Sequence, residues 1–187
     1  MRLDRIYTRG GDAGQTSLGD GARVAKHHPR VAVLGDLDEA NAALGVALLA
    51  VADPEVRALL ARVQNELFDL GADLCRPEKP DEARTPLRIV ETQVEALEAA
   101  IDACTDRLEP LTSFILPGGS AASAHLHLAR AVVRRAERAM TALAEASPLN
   151  AAALRYVNRL SDLLFVLARA SNDGGRADVL WKPGATR

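Results

Sequence analysis

The stretch SAASAHLHLARAVVRRAERAMTALAEA, residues 120–146, decides the fold. Its alanine, leucine, valine and methionine residues recur three or four positions apart, which predicts one long amphipathic α-helix. Ser120 is the predicted N-cap, because its hydroxyl can accept a hydrogen bond from a backbone N–H of the first turn. We expect this helix to end near Ala146, and its apolar face favours a helical architecture for the whole chain.

Four further segments carry the same helical spacing of apolar residues. They are predicted at about residues 31–53, 59–75, 89–108 and 148–172. Pro148 fits the first turn of the last helix, where proline loses no hydrogen bond. Because 48% of the residues are hydrophobic but only 3% are aromatic, the composition suits helices packed closely through small side chains. The predicted fold class is therefore all-α, a five-helix bundle.

The chain is predicted to be a single domain over residues 1–187, because no segment separates two units. Its predicted parts are a glycine-rich N-terminal segment at 1–29, a helical bundle at 30–173 and a C-terminal tail at 174–187. The net charge of −2 argues against a nucleic-acid-binding protein, which needs a basic domain. No apolar run is long enough to cross a membrane, and no secretory signal is present. We expect a cytoplasmic protein with two free thiols, Cys75 and Cys104.

The N-terminal segment is too rich in glycine to form a stable helix, and it predicts a loop with room for a small hairpin. Its glycines expose backbone N–H groups, and Thr8, Thr16 and Ser17 add hydroxyls. Arg9 adds a positive charge, so the segment has the ingredients of a phosphate cradle. The GxxxxGK[ST] order of a Walker loop is missing, so ordinary NTPase chemistry does not follow. A plain flexible terminus is the alternative.

The fourth predicted helix concentrates positive charge. Arg130, Arg134 and Arg138 are four residues apart and lie on one face, with Arg135 beside them and Glu137 as one acidic partner. Each like-charge pair at this spacing costs roughly 0.2–0.5 kcal/mol in an isolated helix, so we expect a compensating anion. Phosphate fits, because the guanidinium fork binds its oxygens in pairs and keeps its charge. The alternative is a solvated face with surface ion pairs.

Polar residues also line up on two other predicted helices. Asn158 belongs to a polar face of the fifth helix, and Asp38 and Asn41 share a face of the first. Asp38 is either a surface acid or the partner of an arginine on the fourth helix, and spacing alone leaves both open. His125 and His127 lie two residues apart and point to different sides, so they predict no metal site.

Five motifs carry a resemblance that extends over nearly the whole chain. They are YTRGGDAGQTSLGDG at residues 7–21, PRVAVLGDLDEANAALG at 29–45, FILPGGS at 114–120, ARAVVRRAER at 129–138 and VNRLSDLLFVLAR at 157–169. In this order they resemble the PduO-type ATP:cob(I)alamin adenosyltransferases. The resemblance implies a ferritin-like five-helix bundle that assembles as a homotrimer, with ATP and the corrinoid meeting at each subunit interface.

The resemblance also implies the nucleotide contacts. The implied ATP-binding residues are Thr8, Arg9, Gly10, Gly11, Thr16, Ser17, Lys26, Arg134, Arg135, Ala136, Glu137, Arg138 and Asn158. Mg²⁺ is expected to arrive with the triphosphate, and no residue is assigned as its direct ligand. Arg9 stands where many relatives have lysine, and Ala13 where a lysine is common, so the phosphate contacts of the N-terminal segment differ from the family pattern.

The implied catalytic residues are Asp38, Phe114, Arg130 and Arg134. In the family, the residue matching Asp38 pairs across the interface with the one matching Arg130, and the residue matching Phe114 helps to displace the lower axial ligand of cobalt. Cob(I)alamin attacks the 5′-carbon of ATP, and adenosylcobalamin and inorganic triphosphate form. A reductase or an adenosylcobalamin-dependent acceptor enzyme is a candidate partner. A non-catalytic corrinoid carrier and a helical interaction module are the competing hypotheses.

Overall fold

Five α-helices and one short hairpin make up the described part of the computed structural model, residues 6–78 and 86–187. The elements are β1 (Gln15–Ser17), β2 (Arg23–Ala25), α1 (Pro29–Ala50), α2 (Pro54–Cys75), α3 (Glu91–Thr105), α4 (Ala121–Ala146) and α5 (Ala151–Ala170). The two strands pair antiparallel. The predicted five-helix fold and the small hairpin in the N-terminal segment are confirmed, while residues 1–5 of that segment lie outside the described residues.

Helix α4 lies between α1 and α5 in the bundle. Helix α2 packs on the other side of α1, and α3 packs on α5. The interfaces between these helices contain small, fully buried side chains, which let the helix backbones approach closely. Examples are Ala40 and Ala47 on α1, Ala129 and Ala136 on α4, and Ala153 and Ala168 on α5. Because α4 has a neighbour on each side, its polar residues can be reached only along the remaining face or at its ends.

The ends of α2 and α4 confirm the predictions near Cys75 and Ala146. The predicted N-cap is also confirmed, because the Ser120 hydroxyl accepts a hydrogen bond from the backbone N–H of Ser123 at 3.1 Å. The first helix ends earlier than predicted, at Ala50. Capping sets these limits locally, which is why the sequence reveals most of them.

The start of α5 corrects a prediction. Pro148 does not occupy the first turn, because the helix begins at Ala151 with Asn150 as its N-cap. The Asn150 side chain accepts a hydrogen bond from the backbone N–H of Ala152 at 3.0 Å, and its amide donates to Asp73 at 2.8 Å. A contact with α2, far away in sequence, therefore sets where α5 begins.

Two buried charged residues tie the helix ends together. Arg30, only 3% exposed, donates from α1 to the carbonyl of Leu74 and to the hydroxyl of Ser147, both at 2.6 Å. Asp73 on α2, only 1% exposed, accepts from the guanidinium of Arg88 at 2.7 Å and from Asn150. These bonds link the ends of α2 and α4 to the starts of α1 and α5.

The N-terminal hairpin is attached to the same end of the bundle. Leu18 is buried, and the backbone N–H of Gly19 donates to the carbonyl of Cys75 at 2.8 Å. The hairpin is thereby anchored at the last residue of α2. None of the helices in the described part of the chain has the length and apolar character that crossing a membrane requires.

Replacing the buried acceptor tests this network. Asp73→Ala leaves the amide of Asn150 and the backbone N–H of Ile89 without their buried acceptor. We expect the free energy of unfolding, measured by urea denaturation, to fall by about 3 kcal/mol. Glu91→Ala is the matched control, because it removes an exposed ion pair with Arg155 and is expected to leave the midpoint nearly unchanged. Equal midpoints for the two variants contradict the structural role of Asp73.

Candidate active site

Arg23 holds the N-terminal segment together. Its guanidinium donates to the carbonyl of Gly10 at 2.8 Å and to the hydroxyl of Ser17 at 3.2 Å. The backbone N–H of Lys26 donates to the carbonyl of Gly14. The backbone of Gly14 is in the left-handed region, with φ of 76°. This role of Arg23 is not predictable from residue spacing, since its partners are up to thirteen residues away.

The predicted phosphate-binding residues of this segment lie at the surface, but they do not all face one way. Lys26 folds over the glycines: a Cβ at Gly11 would lie 3.1 Å from the Lys26 ammonium nitrogen. Thr8 and Arg9 are exposed, and the Arg9 guanidinium stands 5.7 Å above the ring of Tyr7. Glycine at position 11 thus keeps the lysine close to the backbone, an arrangement suited to an anion.

Thr16 and Ser17 are neighbours on β1, so their side chains point to opposite faces of the hairpin. Thr16 is half-buried and Ser17 is exposed, with its hydroxyl engaged by Arg23. One hydroxyl at most can face a given ligand in this conformation.

Arg130 of α4 combines a buried nitrogen that lacks a hydrogen bond with a contact to an aromatic ring. It is half-buried, its guanidinium carbon lies 5.9 Å from the centre of the Phe165 ring, and its buried Nε has no hydrogen-bond partner. Desolvation, followed by the charge of Arg134, lowers the pKa of Arg130. Within residues 6–78 and 86–187, no carboxylate forms an ion pair with Arg130 or Arg134. The two adjacent guanidinium groups therefore form no ion pair in this part of the chain, although the charge of Arg134 acts on the Asp162 carboxylate of α5.

The other two arginines of α4 are engaged within the chain. Arg135 forms ion pairs with Glu39 and, at 3.4 Å, with Asp36, and its hydrogen bond to Glu39 raises its pKa. Arg138 donates to the carbonyl of Arg134 at 3.0 Å. Arg135 is an α1–α4 link in this conformation, whereas Arg134 is exposed and open to a ligand.

The remaining predicted nucleotide contacts lie between α4 and α5. Asn158 donates to the Glu137 carboxylate at 2.8 Å and accepts from Arg159 at 2.6 Å. Arg159 in turn donates to Glu98 on α3 at 2.7 Å. Ala136 is fully buried, so its side chain faces the core. The chain of hydrogen bonds holds the Asn158 amide in one orientation next to the arginines.

Asp38 lies in a groove between α1 and α2. Asp38, Asn41 and Phe68 line two adjoining cavities of about 430 Å³ and 360 Å³ in this groove. The acids that face α4 are Asp36 and Glu39, so helical phase turns Asp38 away from the arginines of its own chain. Among the described residues of this single chain, Asp38 is exposed and has no ion-pair partner.

Phe114 projects from the loop before α4 and is 77% exposed. Its backbone carbonyl accepts a hydrogen bond from the N–H of Trp181 at 2.7 Å, and the two rings lie 6.1 Å apart. Ser113 donates its hydroxyl to the carbonyl of Trp181 at 2.9 Å. The sequence predicts residues 174–187 as a tail, but the segment packs against the Phe114 loop, and the apolar run Val179 to Trp181 is the sequence signal for that contact.

Comparison with known proteins identifies relatives along the whole chain. Residues 6–171 match the family model described as cobalamin adenosyltransferase. A corrinoid adenosyltransferase from Mycobacterium tuberculosis is 50% identical over 190 residues, which cover 100% of this chain and 97% of that protein. The corrinoid adenosyltransferase PduO from Salmonella typhimurium is 47% identical over 176 residues, covering 94% of this chain and 52% of that protein.

Solved structures share the fold. A variant PduO-type ATP:corrinoid adenosyltransferase from Lactobacillus reuteri, complexed with cobalamin and ATP, superposes with a TM-score of 0.89 at 34% identity, covering 96% of this chain and 97% of that one. Another variant of that enzyme, complexed with ATP, gives a TM-score of 0.86 at 34% identity, covering 95% and 100%. The resemblance seen in the five motifs is confirmed in sequence and in fold, and the chain belongs to the cobalamin adenosyltransferase family.

Proposed function

We propose that this protein transfers the 5′-deoxyadenosyl group of ATP to the cobalt of cob(I)alamin, giving adenosylcobalamin and inorganic triphosphate. The observation that carries the proposal is the pair of α4 guanidinium groups, on Arg130 and Arg134, that form no ion pair with any carboxylate of residues 6–78 and 86–187. Membership of the cobalamin adenosyltransferase family supports it, and so do the related structures with ATP and cobalamin bound.

The triphosphate is bound from two sides in this proposal. Arg134 and Arg138 approach it from α4, and Lys26 and the backbone N–H groups of Gly10 and Gly11 approach it from the N-terminal segment. Asn158, oriented by Glu137, fixes the nucleotide next to them. The N-terminal segment is attached to the bundle through the bond from Gly19 to Cys75, so the two sides of the nucleotide site are held together.

The reaction requires no nucleophile from the protein. The cobalt of cob(I)alamin supplies the electron pair that forms the Co–C bond, the C5′–O bond breaks, and its electron pair leaves with the triphosphate. The residues of this chain orient the two reactants and stabilise the negative charge that grows on the leaving group. We assign the second task to Arg134, which is exposed and forms no ion pair among the described residues.

Mg²⁺ is assigned to the nucleotide and not to a protein cage. Among the described residues, no group of three His, Cys, Asp or Glu side chains is arranged to hold a metal ion. Mg²⁺ commonly keeps several waters and binds through substrate phosphates, so ATP oxygens fit as its ligands. When bound, the ion adds positive charge to the leaving triphosphate.

The active site is completed by a second subunit of a homotrimer in this proposal. Asp38 in the α1–α2 groove and Arg130 on α4 both lack an ion-pair partner among the residues that the structure describes. A charged pair formed across the interface satisfies both groups at once. The corrinoid then lies at the same interface, with Phe114 below the ring to keep the lower axial ligand away from cobalt.

The cytoplasm is the proposed location, and the two cysteines support it. Cys75 and Cys104 are free thiols, the usual state in a reducing compartment. There, a reductase that supplies cob(I)alamin, or an enzyme that takes up adenosylcobalamin, is the further partner that the reaction calls for.

Arg134→Ala tests the leaving-group role. We expect kcat/KM for cob(I)alamin and Mg-ATP to fall about 100-fold, because one preorganised charge on the departing triphosphate is lost. Arg155→Ala is the matched control, since it removes an exposed arginine of α5 that pairs with Glu91. Turnover is measured from the absorbance of cob(I)alamin and from triphosphate release. An unchanged rate contradicts the role of Arg134, and tight ATP binding without turnover in the parent protein favours the carrier hypothesis.

Mixed trimers test whether two chains build one site. Asp38→Ala and Arg130→Ala homotrimers are each expected to lose most of their activity, because each removes one member of every interface pair. Co-expressed with different tags and purified as mixed trimers, they should regain about a third of the parent activity, because every trimer that contains both variants has one of its three interfaces with both residues intact. If mixing restores nothing, the two residues do not meet across an interface.

A further inference from the structure

The segment at residues 178–181, here called the C-terminal strap, pairs with the Phe114 loop. Ile115 and Leu180 form an isolated antiparallel bridge. The backbone N–H of Leu116 donates to the carbonyl of Val179 at 2.8 Å. Together with the bond from the Trp181 N–H to Phe114, these contacts fix the backbone on both sides of the exposed phenylalanine.

A buried ion pair anchors the strap to α5. The Asp178 carboxylate accepts from Arg169 Nε and from the Asn172 amide, both at 2.9 Å. The side chains of Arg169 and Asp178 are only 8% and 4% exposed, so this pair is screened little by solvent. Arg169 also donates to the carbonyl of Glu109 at 2.9 Å. The strap is therefore attached to the core and does not hang free.

The same cluster holds the turn that follows Phe114. The Asn172 side-chain oxygen accepts from the backbone N–H of Ser120 at 3.1 Å. Gly119 has φ of 101°, and a Cβ there would lie 2.3 Å from that oxygen, so only glycine fits. Asn172 thus joins the strap, through Asp178, to the N-cap of α4.

The side chains on this platform are apolar and open to solvent. Phe114 is 77% exposed and Trp181 is 46% exposed, with the rings tilted by 55°. Leu116 and Val179, at 50% and 58%, extend the apolar surface. A contiguous apolar surface held this firmly is suited to a flat apolar ligand face.

We propose that Trp181 is a positioning residue for Phe114. The indole of Trp181 holds the Phe114 ring against the lower face of the corrin. This inference rests on the role of Phe114 in the proposed function. A phenylalanine on an exposed loop has several rotamers available, and the indole beside it restricts them. Phe114 then enters the space of the lower axial ligand without an ordering cost at the moment of binding.

The step that depends on this positioning is the reduction of cob(II)alamin. When the lower ligand is displaced, the four-coordinate Co(II) accepts one electron from an external one-electron reductant more easily, and cob(I)alamin then attacks ATP. Preformed cob(I)alamin bypasses the reduction. A positioning defect is therefore expected to affect turnover that starts from cob(II)alamin and to leave turnover from cob(I)alamin almost unchanged.

The experiment compares Trp181→Ala, Trp181→Phe and Phe114→Ala in the full-length protein with Mg-ATP bound. Turnover is measured from cob(II)alamin with a one-electron reductant and from preformed cob(I)alamin, and electron paramagnetic resonance measures the four-coordinate Co(II) fraction. For Trp181→Ala we expect about a tenfold to 100-fold loss with cob(II)alamin together with loss of the four-coordinate signal. Trp181→Phe keeps an aromatic ring beside Phe114, so we expect its turnover from cob(II)alamin and its four-coordinate signal to be close to those of the parent protein. Leu87→Ala, an exposed apolar residue outside the strap, is the control.

The outcomes separate the inference from the function on which it rests. Suppose that Phe114→Ala loses turnover from cob(II)alamin but not from cob(I)alamin, while Trp181→Ala keeps the four-coordinate Co(II) signal of the parent protein. Trp181 then does not position Phe114, and the inference is overturned. Equal losses from both corrinoid states in Phe114→Ala overturn the role of Phe114 itself. A Trp181→Ala protein that loses both activities equally, with a lower melting temperature, shows a structural role only and also overturns the inference.

Discussion

The unpartnered guanidinium of Arg130 is the constraint on which the rest of the site depends. Its Nε is buried without a hydrogen bond, its charged group lies over Phe165, and Arg134 adds a like charge one turn away. A desolvated cation without a counter-ion costs free energy, and the bundle offsets that cost through the packing of α4 between α1 and α5. The Arg130 guanidinium, which forms no ion pair in the described part of the chain, is thus suited to an anion from a ligand or a second subunit.

Two buried polar networks, one around Arg30 and Asp73 and one around Asp178, hold the loops on either side of the site. Arg30 and Asp73 fix the helix ends near the N-terminal hairpin, which is itself bonded to α2 through Gly19. At the other end of α4, the cluster around Asp178 fixes the Phe114 loop. The nucleotide side and the corrinoid side are therefore organised by separate polar networks, joined by the rigid length of α4.

Local signals predicted much of this architecture, and non-local contacts account for what was missed. The period of α4, its Ser120 cap and the end of α2 follow from neighbouring residues. The start of α5 was misplaced because Asn150 is held by Asp73, 77 positions away. Trp181 was overlooked because its partner Phe114 belongs to a loop before α4. The family motifs supplied the candidate site residues, but only the structure shows which acids of α1 face α4: Asp36 and Glu39 pair with Arg135, and Asp38 does not.

The central claim is that the α4 guanidinium groups and the N-terminal loop bind a triphosphate. Calorimetric titration of the purified protein tests it most directly, with Mg-ATP compared against adenosine at the same ionic strength. The account predicts saturable heat with ATP that weakens as salt is raised, and far weaker binding of adenosine, because phosphate contacts supply most of the affinity. No heat from Mg-ATP at millimolar concentration, or equal affinity for adenosine, contradicts it.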